Sequence, residues 1–233
     1  MASGKLTKED LKQPDFFQSH GTQLAEFILK FQGVFLTIGA LILVGGLAWI
    51  GISYWQSHRE NAATTALYPV EKKIQDEMEK NKTISDAALQ DYDKVLRDHS
   101  SARSSLVSLI SLSPSLIKAG KASWALDEIS KAGYQPSNRD VYFGLEKMTQ
   151  GLLALESQQP DKAAEIYQQL LAQDSQKSFH ADALLKLGVA YQMKKDIAKA
   201  RETFERVRKE HPRTQAGEMA FEYLLALSQQ KGA

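Results

Sequence analysis

From Val34 to Trp55 the chain reads VFLTIGALILVGGLAWIGISYW, with no charged residue, and charge resumes only at Lys30 before this run and His58-Arg59 after it. At 1.5 Å per residue such a helix covers about 33 Å, enough for a hydrocarbon core of roughly 30 Å. Tyr54-Trp55 closes the run as an interfacial belt would. A cleaved signal peptide has an apolar region of about 7–15 residues near its start and a small-x-small site after it. Here thirty-three residues precede the run and bulky Tyr-Trp-Gln-Ser-His ends it, so the prediction is an uncleaved membrane anchor.

Before the anchor, polar LTKEDLKQPD gives way to Phe16, Phe17, Leu24, Phe27, Ile28 and Phe31, the later members at helical spacing. They predict either a short helix lying on the membrane surface or an extension of the span, with Pro14 separating it from the start. Within the span Gly39, Gly46 and Ser53 recur every seven residues and set small side chains along one stripe, a candidate helix–helix interface.

After the span the pattern repeats. Ala200 is followed by Phe204 and Val207; the same small, large, medium spacing occurs at Ala163, Tyr167 and Leu170, at Ala125, Ile129 and Ala132, and at Ala88, Tyr92 and Val95. The alanines lie 37, 38 and 37 residues apart. That spacing marks one face of a helix, with alanine where a neighbouring helix comes closest, so each unit is predicted to be a helix pair. In the last unit Leu184, Leu187, Gly188 and Tyr191 form the apolar face of the preceding helix, and Gly151 and Ala154 hold the corresponding places one unit earlier. Pro212 ends the last unit, and Ala216, Met219, Ala220, Tyr223, Leu224 and Leu227 predict one closing amphipathic helix. Pro114 predicts a kink or break within Leu106–Ile117, and Asn61, Pro69 and Lys80-Asn81-Lys82 predict at least one interruption between Arg59 and Lys82.

Leu187-Gly188, Tyr191, Ala200, Phe204 and Pro212 match the L-G-x-x-Y, A-x-x-x-F and closing proline of the tetratricopeptide repeat, which the sequence here resembles. The unit around Gly151 matches in part, with Gln150 in place of leucine and Ala154 in place of tyrosine, and the two earlier units keep only the second helix. A period near 37 rather than 34 implies longer turns between units. The alternative is an ordinary helical bundle. The expected fold is all-α: residues 1–33 a tail with a short juxtamembrane helix, 34–55 a single transmembrane helix, and 56–233 a tetratricopeptide-like helix-pair solenoid.

Twenty-nine Lys plus Arg balance twenty-eight Asp plus Glu, which argues against a general nucleic-acid binder. With 43% hydrophobic residues the chain can bury a core, and with no cysteine it has no disulfide, thiolate metal site or cysteine nucleophile. No G-x-S-x-G, H-E-x-x-H or dinucleotide fingerprint occurs, so neither an enzyme nor a cofactor is predicted. Ala119-Gly120-Lys121-Ala122 reads as a turn rather than a phosphate loop, and His20, His58, His99, His180 and His211 are too scattered to predict a metal site. From Lys194 to Arg213 eight basic residues face Asp196, Glu202, Glu205 and Glu210; a solvated helix face with pairs Glu202–Arg206 and Glu205–Lys209 is expected, with an acidic-partner site as the alternative. Lys5, Lys8, Lys12 and Lys30 before the span against Arg59, Lys72 and Lys73 after it give a slight lean to a cytoplasmic N-terminus.

The order of parts, together with G-G-L-A-W-I-G-I-S-Y-W-Q-S-H over residues 45–58, resembles the ancillary subunit family of the bacterial Sec translocon. That resemblance implies a single-pass protein of the bacterial inner membrane with a cytoplasmic N-terminus and a periplasmic repeat domain. It also implies translocon subunits, a membrane-bound prolyl isomerase chaperone and exported polypeptides as partners. In related repeats the first helix of each pair lines a concave groove, which makes Lys147, Gln150, Lys186, Ala190 and Tyr191 candidate contacts for an extended or helical peptide. Two other roles stay open: a structural adaptor for envelope-assembly enzymes, and an anchor restraining a cytoplasmic signalling protein through residues 1–33.

Overall fold

The computed structural model describes residues 29–81 and 83–229. The tail expected over 1–33 lies almost wholly outside them, as does Lys82. Nine α-helices span the described residues: α1 (Gln32–Asn81), α2 (Asp86–Asp98), α3 (Arg103–Lys118), α4 (Ala122–Lys131), α5 (Val141–Glu156), α6 (Pro160–Leu171), α7 (Lys177–Met193), α8 (Ile197–Glu210) and α9 (Gln215–Gln229). The chain divides into two compact units, Met1–Ser57 and His58–Ala233.

In the first unit the large apolar residues from Leu36 to Trp55 are exposed all round the helix, and none of its most apolar stretch is buried. A helix that is apolar on every face needs an apolar surrounding. It is long and apolar enough to cross a membrane.

The second unit begins where that pattern changes. From Ala63 onward α1 becomes one-sided: Ala63, Leu67 and Ile74 are buried, and Val70 and Met78 pack beside them. This half of α1 is the first helix of the first pair, followed by α2; the later pairs are α3 with α4, α5 with α6, and α7 with α8. Each helix from α3 onward packs on the next in sequence, and α3, α5, α7 and α9 also pack on one another in turn. That is the contact pattern of a solenoid, in which each unit touches only its neighbours.

The alanine-aromatic stripe forms the core of every pair. Ala88, Tyr92, Ala125, Ile129, Ala163, Tyr167, Leu170, Ala200, Phe204 and Val207 are buried, while Val95 is half-buried and Ala132 lies just past the end of α4. Glycine on the first helix makes room for the aromatic on the second. A Cβ on Gly151 would stand 2.4 Å from the Tyr167 ring, and one on Gly188 would stand 2.4 Å from that of Phe204.

The interruption expected between Arg59 and Lys82 falls at Asn81, within the Lys80-Asn81-Lys82 segment, while Asn61, Pro69 and Pro114 end no helix. Helix α1 continues through Asn61 and Pro69 and ends only at Asn81, and α3 continues through Pro114 without a break. At Pro114 the carbonyl that loses its amide partner is that of Ile110, and the Ser113 hydroxyl donates to it at 2.8 Å. The helix therefore keeps that acceptor satisfied despite the proline.

Within the second, third and fourth pairs the same turn recurs. Gly120, Gln158 and Lys195 adopt φ of 70°, 57° and 62°. The amide of the next residue reaches back to the carbonyl of Leu116, Ala154 and Tyr191 at 2.8, 2.8 and 3.0 Å. These are left-handed helix terminations, so the Gly120 segment is the turn its sequence predicts.

Candidate functional site

The first helices of the first three pairs line an open groove whose walls include Tyr68 and Glu71 of α1, Arg103, Val107 and Ser111 of α3, and Tyr142 of α5. Tyr68 is 65% exposed although it lies on a helix that buries Leu67 beside it. The Arg103 guanidinium lies over the Tyr142 ring, 5.5 Å from its centroid. An exposed tyrosine such as Tyr68 and an exposed arginine are the residue types that anchor protein contacts, because they offer large contact area.

One wall of this groove is fixed by a carboxylate from far up the chain. Ala102 precedes α3 and offers no capping side chain. Glu60 supplies the acceptors instead: Oε1 accepts from the Arg103 amide at 2.9 Å, and Oε2 from the Ser104 amide at 3.0 Å and the Ser104 hydroxyl at 2.6 Å. Burial is the largest influence on this carboxyl and pushes its pKa up, but the hydrogen bonds from Ser104 and Arg103, with the Arg103 charge, outweigh it and hold the group below its ordinary value. An ionised side chain at a helix N-terminus also complements the helix dipole.

The candidate contacts Lys147 and Gln150 lie on α5, and Lys186, Ala190 and Tyr191 on α7. Ala190 is wholly buried and Gln150 nearly so, whereas Lys147, Lys186 and Tyr191 are partly exposed. Lys147 and Gln150 come together around a buried carboxylate: Gln150 Nε2 donates to Glu146 at 3.0 Å, and Lys147 Nζ donates to Glu146 at 3.2 Å and to Gln150 at 3.0 Å. Tyr191 is engaged elsewhere, its hydroxyl accepting from Gln168 at 2.7 Å and its ring lying 5.7 Å from Lys199 Nζ. Gly39, Gly46 and Ser53 are exposed on α1, and a Cβ at either glycine would meet nothing within 4 Å.

The groove walls Tyr68, Arg103 and Tyr142 escape sequence reasoning because the first helices of the early pairs carry no L-G-x-x-Y signal. The one available clue is the stripe Ala63, Leu67, Ile74, which leaves Tyr68 off the buried face.

The basic stretch from Lys194 to Arg213 is paired in part within the solenoid. Lys194 pairs with Asp161, Lys199 with Asp196 at 3.3 Å, and Arg206 with Glu210 at 3.2 Å rather than with Glu202. Arg208 lies over the Phe221 ring at 4.7 Å. Among the described residues no cluster of three or more His, Asp or Glu is placed to hold a metal ion.

No curated protein matches the chain. A family model for the tetratricopeptide repeat matches residues 148–213, the stretch from α5 to the turn after α8. That family is typically a non-catalytic module that binds other proteins, and the fold is accordingly all-α, a tetratricopeptide-like helix-pair solenoid that follows one long apolar helix in the sequence.

Proposed function

We propose that the protein is a membrane-anchored interaction scaffold, an ancillary subunit of the bacterial Sec translocon whose repeat domain makes chaperone-like contact with envelope proteins. Residues 34–55 span the inner membrane with the N-terminus in the cytoplasm, and residues 56–233 form the periplasmic repeat domain. The observation that carries this reading is a helix-pair array with an open groove, walled by Tyr68, Arg103 and Tyr142, in a chain that also holds an apolar helix with no buried face. The order of parts and the 45–58 segment support the translocon assignment. Anchoring confines the groove to the membrane surface, where a high effective concentration lets weak contacts suffice.

Photo-crosslinkers placed singly through 34–55 of the full-length protein in native membranes test the assignment. Adducts with translocon subunits or a membrane-bound chaperone are expected, and their absence overturns it. Adducts with envelope-assembly enzymes in their place favour the structural adaptor. External protease should digest the repeats in spheroplasts and spare them in intact cells.

A further inference from the structure

A solenoid helix with no neighbour on its outer face is usually polar there. Helix α9 is not. Met219, Phe221 and Leu225 are 36%, 45% and 47% exposed on it. The repeat spacing explains which face this is. One period of 37 residues carries Ala183 to Ala220 and Ala190 to Leu227, all four buried against the preceding unit. The same step carries Leu184 to Phe221 and Gly188 to Leu225. Leu184 and Gly188 are buried on α7, and Gly188 meets Phe204 of the second helix of its pair, α8. Helix α9 is thus the first helix of a fifth unit, and its exposed apolar face is the one that in α5 and α7 receives a second helix.

The fit is inverted, however. Gly151 and Gly188 are holes into which Tyr167 and Phe204 enter, whereas their equivalent Leu225 is a knob; Phe221 keeps the large side chain of its equivalent Leu184 and carries Arg208 of α8 over its ring at 4.7 Å, so on α9 only Glu218 and Glu222 offer negative charge at the seat. Glu218 and Glu222 stand exposed on the same helix and form no ion pair among the described residues. A second copy of α9 would oppose knobs with knobs and carboxylates with carboxylates.

We infer that the outer face of α9 is a docking seat for an amphipathic helix of a partner protein, one that presents small residues to Phe221 and Leu225 and lysines or arginines to Glu218 and Glu222. The seat is separate from the groove and does not depend on the translocon reading.

The probes are two fluorescein-labelled peptides covering residues 195–212, which contain the sequence of α8, one native and one with Phe204→Ala, titrated by anisotropy against the full-length protein in nanodiscs. The Phe204→Ala peptide is expected to bind at least about tenfold more tightly than the native one, a difference of about 1.4 kcal/mol. Leu225→Gly should reverse that order by turning the knob into a hole. Glu218→Lys with Glu222→Lys, which leaves the apolar face intact, should weaken the Phe204→Ala peptide about tenfold and flatten its salt dependence. Tyr68→Ala, which alters the groove, should leave the affinities of both peptides for the α9 seat unchanged. Equal affinity of the two peptides, no binding of either, binding indifferent to residue 225, or loss of binding with Tyr68→Ala overturns the inference. So does light scattering that finds a dimer of the protein abolished by Leu225→Glu, because a second copy then covers the face.

Discussion

Tyr92 and Tyr167 occupy equivalent places in the first and third pairs, yet their hydroxyls fare differently. Tyr92 reaches one helix onward and shares a 2.6 Å hydrogen bond with Ser108. Sixteen residues after Tyr167 stands Ala183 where Ser108 follows Tyr92, and the buried Tyr167 hydroxyl has no partner among the described residues. Burial pushes both phenols above their ordinary range, with the Ser108 bond pulling Tyr92 back. An unpaired buried hydroxyl is a liability, whereas a paired one contributes about 1 kcal/mol. Tyr92→Phe is therefore expected to lower stability by about 1 kcal/mol, while Tyr167→Phe leaves it unchanged or raises it by up to about 1 kcal/mol. Denaturant midpoints of the two variants check this, and an equal loss at both sites contradicts it.

At the scale of elements, two devices hold the helix pairs in register, and both act between segments far apart in sequence. The first is the Glu60 cap on α3. Its folded-state pKa is depressed, so its stabilisation is fully present above the ordinary carboxyl value of 4.5 and is lost as pH falls through the lowered value. Glu60→Gln is expected to cost about 1 kcal/mol at neutral pH. The gap to the parent should close as acid protonates Glu60 in the parent, which thermal melts across pH 3–7 would detect; a gap that persists at low pH assigns the loss to packing. The second device is a lacing of successive inter-pair turns. The Ser100 carbonyl accepts from the amides of Gly133 and Tyr134 at 3.0 and 3.1 Å. Gln176 Nε2 donates to the carbonyls of Asn138 and Asp140 at 2.8 and 2.9 Å, and Asn138 Nδ2 donates to Gln173 at 2.9 Å. This gives the longer period a physical role, because the extra turn residues supply groups that bond one linker to the next. The alanine stripes and the Gly120 turn follow from residue spacing, whereas the left-handed turns at Gln158 and Lys195 carry no glycine to mark them; the lacing is equally illegible, since no local pattern distinguishes a linker amide that bonds to another linker from one that bonds to water.

For the molecule as a whole, stability in a stacked array is a sum over pairs and their interfaces. The core of the fourth pair depends on α9, where Tyr223 stacks on Phe204 with centroids 4.8 Å apart and planes 4° from parallel. Ending the chain at Pro212 would strip that cover from Phe204, Leu184 and Ala200, which share a core with Ala216 and Ala220. Hydrogen exchange in the truncated protein is expected to accelerate through α7 and α8 and to stay unchanged in α2 and α3; acceleration spread evenly over all pairs would contradict nearest-neighbour stacking. The sequence by itself determined the apolar helix, the helix-pair period and the buried alanine-aromatic stripe, because each is a repetition along one helix and periodicity is a local property. Only tertiary structure decided that the second half of α1 serves as the first helix of the first pair, that Glu60 caps α3, and that the groove opens beside Tyr68 and Arg103. Those outcomes depend on which segments meet across intervening turns and whole helices, and such meetings are set by the packing of whole helices rather than by the spacing of side chains on any one of them.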